Sequence, residues 1–534
     1  MELIQSRQLT PSVLTYRFNY LRKLKMSKYI KIALSIGCSI VLFSSCEKFL
    51  DTPPQGKYTE DTYPYPEGGT PYDRFIFAAY NDLRSYNVHV DGFVNATSIR
   101  SDDADKGSTA SDGGADVISM DNFPVLATSG RANALWLGYF GLVNQTNRAM
   151  YQIDSISKEG QDEQLKIQAT AEARFLRGYS YFMLVRLFGR VPKFETWSSD
   201  PATQNNIPQS SAAEIYTFVE EDLKFAAQNL PDTWDSKFIG RATKGAANGL
   251  LAKVYITQKK WQQAYDAANT VKSSGLYDLS QNYADIFSEK GENGRESIFE
   301  IQGTASPDET TKNGIQYANL QGVRGAGNWN LGWGWNTPSA ALEAAYEAGD
   351  PRKARTILYS SVAGKTNVSM YNEPMPVYPA DVPNPMYNHK VLSDPAMRNS
   401  ISRGSWWMNI RILRYADVVL MLAESANELG KTDEARTLLN SVRERARRGA
   451  AAGVLPDVTD TDQVALRNKI RHERRIELAM EHDRFFDLVR WGTAQTALHA
   501  AGKTNFQNSR DVLLPIPQTQ IDLTKGVLTQ NPGY

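Results

Sequence analysis

Cysteine and histidine are the scarce residues of this 534-residue chain. It has two Cys and five His, and both cysteines, Cys38 and Cys46, stand near the N-terminus. Beyond Cys46 the chain can form no disulfide, no cysteine-based metal site and no thiol nucleophile. Five histidines leave little material for zinc or triad chemistry. The signatures HExxH, GxSxG and GxxxxGK(S/T) are absent, as is a GxGxxG following a strand. His472-Glu473 begins like a zinc-protease helix, but Ile476 stands where the second His is required. Neither charge is in excess. With 59 Lys+Arg against 59 Asp+Glu, no long-range field favours nucleic acid or an anionic membrane surface. The expectation is a protein that is not an enzyme.

What is present begins with an address. Residues 32–43, IALSIGCSIVLF, form an uncharged apolar run behind Lys28 and Lys31. The run is short for a bilayer span and has the length and flanks of a signal-peptide core. Met26 is the expected start of translation, with residues 1–25 as an extension ahead of it. The run ends in FSSC, small residues directly before Cys46, which resembles a bacterial lipobox. Lipidation at Cys46 is the expectation. Each buried acyl CH₂ contributes about 0.8 kcal/mol, so a multiply acylated cysteine anchors a chain without a transmembrane helix. Cys38, in SIGC, offers a second such sequence but sits too early in the run. An ordinary secretory signal with an incidental cysteine is the other alternative. The expected organisation is a signal segment at 1–45, a polar, proline-bearing tether at 46–65 and a folded body at 66–534.

The body reads as mainly α, in a mixture of helical pairs and long loops. Residues 242–258 and 261–273 predict a helical hairpin, with Ala252, Tyr255 and Ala264 at tetratricopeptide-like spacing. The pattern recurs at 411–429 and 432–446, where Ala423, Gly430 and Ala435 take the corresponding places. Two matches far apart suggest a helical-repeat scaffold rather than a continuous solenoid. Further helices are expected near 72–86, 131–154, 162–188, 212–229, 339–348, 463–480 and 484–495. The apolar residues of 171–188 extend around the helix, which predicts deep burial. Between these lie stretches rich in Gly, Asn, Ser, Asp and Pro at 91–130, 280–338 and 355–410. Loops of that length usually form a functional surface.

Five segments, in register, resemble the SusD/RagB family of outer-membrane nutrient-binding lipoproteins. They are CEKFLDTPPQ at 46–55, AEARFLRGYSYFMLVRLFGRVP at 171–192 with the helix pair after it, RYADVVLMLAESANELG at 414–430, RHERRIELAMEHDRFFDLVRWG at 471–492, and LLPIPQTQIDLTKGVLTQNPGY at 513–534. The resemblance implies a helical scaffold of tetratricopeptide-type pairs with an irregular, loop-built ligand face. It also implies anchorage in the outer membrane, facing the cell exterior, and a partner, a SusC-like TonB-dependent transporter that receives an oligosaccharide. Substrate class varies within such a family, so the fold does not name the sugar.

Three segments carry candidate chemistry. In 471–492, Arg474–Glu477 and Arg484–Asp487 stand at i,i+3, the spacing of helix-surface ion pairs. Glu477 and Glu481 could suggest a glycosidase pair, but neighbouring arginines would hold both ionised and deny either a raised pKa. In 98–123, Asp102, Asp103, Asp105, Asp112, Asp116 and Asp121 cluster among Gly and Ser. No cofactor is required, but Ca²⁺ is a possible one, with Asp102, Asp103 and Asp105 as its candidate ligands. The EF-hand spacing is not met, and a solvated loop or contacts to sugar hydroxyls are alternatives. In 317–352, Trp329, Trp333 and Trp335 stand among glycines, where a thin loop can expose an indole for the apolar face of a sugar. The alternative is that these rings cap the core. The candidate ligand-binding set is Trp329, Trp333, Trp335, Tyr317, Asp102, Asp103 and Tyr86, with Trp406 and Trp407 more suited to packing. Peptide binding on the helical repeats and hydrolysis by an acidic pair stand as the competing readings.

Overall fold

The helix starts are written as capping residues. Ser129, Thr243 and Asp462 each accept a hydrogen bond from a backbone N–H of the first turn, and Ser211 with Glu214 forms a reciprocal capping box. The computed structural model describes residues 67–157, 163–304, 315–364, 369–370, 372–392 and 407–534. The signal segment, Cys46, the tether and Trp406 lie outside the described residues.

The fold is mainly helical. The principal helices are α1 (Asp73–Asp82), α2 (Gly130–Ile156), α3 (Glu163–Phe188), α4 (Ala212–Asn229), α5 (Lys244–Thr257), α6 (Trp261–Ser273), α7 (Tyr415–Glu428), α8 (Thr432–Ala446), α9 (Gln463–Glu477) and α10 (Arg484–Trp491). From α2 to α9 each helix packs against the next, so the stack is continuous. The helical-repeat scaffold is thus as expected, but its helices follow one another without the break that the sequence suggested. Residues 274–414 separate α6 from α7 in the sequence, yet those two helices meet directly. α6 buries the small residues Ala264, Ala267 and Ala268 with Val271, and α7 is buried on all sides from Tyr415 to Asn427. A helix apolar on one stripe could end the stack; α7 has to be covered from both sides. α3 is buried in the same way from Ala169 to Phe188, apart from Thr170, Arg174 and Arg186.

Strands are few and short. β1 (Ala104–Gly107) pairs antiparallel with β3 (Trp335–Pro338), β2 (Ser297–Ile301) with β6 (Ile410–Arg414), and β4 (Ile357–Tyr359) with β5 (Met386–Asn388). Residues 411–414, expected as the start of a helix, belong to β6. Leu413 lies opposite Phe299, and its side chain fills the space over Gly249 of α5, where an added Cβ would stand 2.6 Å from Leu413 Cδ2.

The segment between α6 and α7 has a core of its own, in which Trp329, Leu331, Leu358, Tyr387 and Trp407 pack together. Buried ion pairs tie this layer to the helices. Arg352 reaches Glu473 and Glu477 of α9, Arg414 reaches Glu296, Glu477 and Glu481, and Arg445 of α8 reaches Glu296 and Glu477. The helix-surface pairs expected at i,i+3 are not formed. Arg474 bonds Asp417 at 2.8 Å and Asp487 at 3.2 Å, and Arg484 bonds Asp102 at 2.8 Å. The expected partners are buried as well but are held by other arginines, Glu477 by Arg352, Arg414 and Arg445 and Asp487 by Arg474 and Arg490.

Candidate functional site

A thin loop running from Gly322 to Gly334 carries the candidate face. Its two arms touch through their backbones: Leu331 and Gly332 N–H donate to Val323 O, and Gly334 N–H to Gly322 O. Gly332 is so close to the preceding helix that an added Cβ would lie 2.0 Å from Asn319 O. Only glycine permits that approach. The consequence is that Trp333, held by its N–H to Asn319 O at 2.9 Å, is thrown outward with 47% of its surface exposed.

Polar groups gather beside this indole. Ser108 N–H donates to Gly334 O at 2.6 Å, extending the β1–β3 pairing to the rim of the loop. Arg324 forms an ion pair with Asp112 and donates to Ser108 Oγ at 2.5 Å; its side chain is one-third exposed. Ser108 Oγ in turn donates to Asp112 at 2.6 Å. Asn384 Nδ2 reaches Gly334 O at 3.4 Å, and Asn328 lies 3.4 Å from Glu373 on the outer edge. Beneath them Lys106 lies 5.0 Å from the centre of the Trp335 ring. Burial, with Arg324 nearby, draws its ammonium below the ordinary range, although Asp121 opposes the shift. The result is one exposed aromatic face on a loop that also carries the partly exposed Arg324 guanidinium and the exposed Asn328 amide, while Ser108 and Asn384 are buried and fix the loop from beneath. Such a surface can stack on a ligand's apolar face and hydrogen-bond its hydroxyls.

The structure separates the residues singled out from the sequence. Trp329 and Trp335 are 8% and 7% exposed and belong to the packing, so the three-indole platform reduces to Trp333. Trp407 is likewise buried, and its indole N–H donates to Glu289 at 2.6 Å. Tyr317 is partly buried and hydrogen-bonded to His482 Nε2 at 2.6 Å. Tyr86 is exposed, but its short helix, Tyr86–His89, packs against α2.

Asp102 and Asp103 are buried, not presented to solvent. Arg484 grips both oxygens of Asp102 at 2.8 Å, and Arg475 bonds Asp103 at 2.7 Å. Burial pushes both carboxyls up; at Asp102 the two guanidiniums outweigh it and hold the group low, whereas the charge of Asp102 keeps Asp103 raised. Carboxylates facing guanidiniums offer poor ligands for Ca²⁺. The rest of the acidic cluster is dispersed in the same fashion, with Asp116 on Arg131 at 3.1 Å and Asp121 on Lys503 at 2.5 Å, while Asp105 lies in β1 opposite Thr337. Among the described residues no group of three or more His, Cys, Asp or Glu could hold a metal.

Arg324, Ser108, Asn328 and Asn384 had escaped notice in the sequence. Arg324 and Asn328 stand in the Trp loop itself, where VRGAGN is the local hint; Ser108 and Asn384 join the face only through tertiary contacts.

Comparison with known proteins agrees with this architecture. The SusD family matches residues 295–534, and a second family, described as starch-binding and associating with the outer membrane, matches residues 88–256. SusD-like protein P2 of Formosa agariphila is 28% identical over 452 residues, covering 82% of this chain and 87% of that protein. A solved structure of a laminarin-binding SusD-like protein superposes with a TM-score of 0.73 at 28% identity, covering 87% of this chain and 99% of the other. Surface glycan-binding protein A from Bacteroides thetaiotaomicron, solved with laminarihexaose, shares the fold at a TM-score of 0.72 and 24% identity, over 86% and 98% of the two chains. On these matches and on its continuous helical stack, this chain belongs to the SusD/RagB family.

Proposed function

We propose that this chain is a cell-surface glycan-binding protein, anchored to the outer membrane by lipid on Cys46, which passes captured oligosaccharide to a TonB-dependent transporter. The observation that carries the reading is the exposed Trp333 indole on its glycine-built loop, with Arg324 on the same loop and the buried Ser108 and Asn384 holding it from beneath. Laminarin binding by the 28%-identical relative and the starch-binding description of the second family support a glycan as ligand. No helix of the described residues is long and apolar enough to cross a membrane, which is compatible with attachment through lipid.

Capture without hydrolysis is supported by the state of the one paired acidic motif. Burial raises Glu477, but Arg445, Arg414 and Arg352 outweigh it and bring its carboxyl down to about 2. Glu481 is held low by Arg414 and Lys390 against the same effect of burial. A group ionised throughout the physiological range donates no proton to a leaving oxygen.

Calorimetric titration of the mature protein with laminarihexaose and with maltohexaose tests the reading. Trp333→Ala is expected to weaken binding at this face about tenfold, the loss of about 1.4 kcal/mol from one stacked ring. Undiminished affinity at every site in a folded Trp333→Ala protein would reject the assignment, and release of shorter sugars would favour an enzyme.

A further inference from the structure

A second groove lies along α2, with no lining residue in common with the Trp333 face. It is lined by Phe140 and Asn144 of α2, by Phe194, by Gln204 and Asn205, and by Gln520 near the C-terminus. Two properties separate it from an ordinary surface crevice. Among the described residues no Asp, Glu, Lys or Arg lines it, although charged residues make up 22% of the chain. In their place stand side-chain amides, with Asn144 and Asn205 exposed at its rim. An amide offers two donors and an acceptor in one plane, which suits neighbouring hydroxyls on a sugar ring.

The second observation is an aromatic pair that continues the same line. Asn144, Asn147 and Tyr151 follow one another at i, i+3 and i+7, and therefore share a face of α2 with Leu137 and Phe140. Tyr151 is 56% exposed, and its ring lies against that of Trp197, with centroids 5.0 Å apart and planes at 36°. Trp197 follows Thr196, itself part of the groove wall. Asn147 fixes this wall: it donates to Phe194 O at 2.9 Å and accepts from Arg177 at 2.7 Å. From Leu137 to Tyr151 the helix rises about 21 Å, enough for several sugar units end to end. An uncharged track with amides along it and a tilted aromatic pair at one end is complementary to a neutral saccharide.

We propose that this groove is a second glycan site, which binds a neutral oligosaccharide along α2 independently of Trp333. The inference rests on the glycan-binding reading above and extends it from one contact to two on the same chain.

Calorimetry and native mass spectrometry of the mature protein with laminarihexaose, and in parallel with maltohexaose, count the sites. Two equivalents are expected on the unaltered protein. One should remain in Trp333→Ala, one in Tyr151→Ala, and none at the same sugar concentration in the double variant. Tyr151 and Asn205 are exposed, so Tyr151→Ala and the blocking variant Asn205→Trp leave the core intact, and each should weaken the groove site about tenfold. A single equivalent, lost in Trp333→Ala and untouched by Tyr151→Ala and Asn205→Trp, overturns the second site while the general reading stands. No binding of either sugar overturns both. Unchanged glycan stoichiometry in Tyr151→Ala, with reduced recovery of its transporter partner from detergent extracts, would mark the groove as a protein contact and also overturn the proposal.

Discussion

Three guanidiniums converge on the Glu477 carboxylate, from Arg352 and Arg414 at 3.1 Å and from Arg445 at 2.5 Å. All four side chains are buried, so each charge depends on the others for its solvation. Glu477→Gln keeps the shape and removes the charge, leaving three cations short of a partner. The expected cost is about 3–5 kcal/mol, measured by denaturant unfolding. Sugar binding by the folded fraction should not change, because Glu477 is buried away from both proposed binding surfaces. The indoles give the opposite contrast within one loop. Trp329→Ala empties a site in the second core and should cost about 3–5 kcal/mol. Trp333→Ala should alter stability by no more than about 0.5 kcal/mol while it lowers affinity. Equal destabilisation by the two substitutions would mean that Trp333 is also a packing residue.

Two glycines show how an element's neighbour decides the effect of a single methyl group. At Gly249 of α5 the added Cβ meets the end of Leu413, a flexible side chain, at 2.6 Å. Alanine there gains about 1 kcal/mol of helix propensity, which offsets a small shift of the leucine. At Gly332 the Cβ meets backbone, the oxygen of Asn319 at 2.0 Å, and one of the two loop arms has to move. Gly249→Ala should therefore be close to neutral in unfolding measurements. Gly332→Ala should displace Trp333 and reduce sugar affinity, with retained affinity counting against the loop's role. The same distinction explains how much could be read in advance. α4 runs from Ala212 to Asn229, the range that its helical periodicity predicts. Residues 411–414 were misassigned because an apolar alternation leading into a helix has no local mark of its partner, and β2 lies more than a hundred residues earlier. Asp102 and Asp103 looked like solvent-facing ligands because their arginines stand in a distant segment. The site was half visible: the Gly-rich Trp loop could be located, but which indole emerges depends on the Gly322–Gly332 contact, and Asn384 arrives from another loop altogether.

At the scale of the whole molecule, buried ionisable groups set a pH profile whose parts have opposite signs. His89 and His482 are buried; burial lowers them to about 4 and about 3, so the fold keeps both neutral. An unfolded histidine protonates near 6.5, so as pH falls below that value the unfolded chain takes up protons that the fold refuses, and stability is lost. Glu292 and Asp82 act the other way. Burial raises them to about 7 and about 6, so the fold takes up their protons before the unfolded chain does, and stability is gained over the same interval. The two contributions oppose each other between about pH 7 and 4, and His389, lowered to about 4 by burial and Arg355, adds to the loss. Below about 4 the unfolded carboxylates protonate, whereas Glu477 stays ionised in the fold until about 2. Its depressed pKa therefore contributes stability that is complete above the unfolded value and disappears as pH falls through the folded one. Melting temperatures of the unaltered protein and of Glu477→Gln, followed from pH 7 to 2, isolate that contribution. The gap between them should be constant down to about pH 5 and close toward pH 2. A gap that persists at pH 2 would show that Glu477 stabilises the protein by shape and hydrogen bonding, with no part played by its charge among the three arginines.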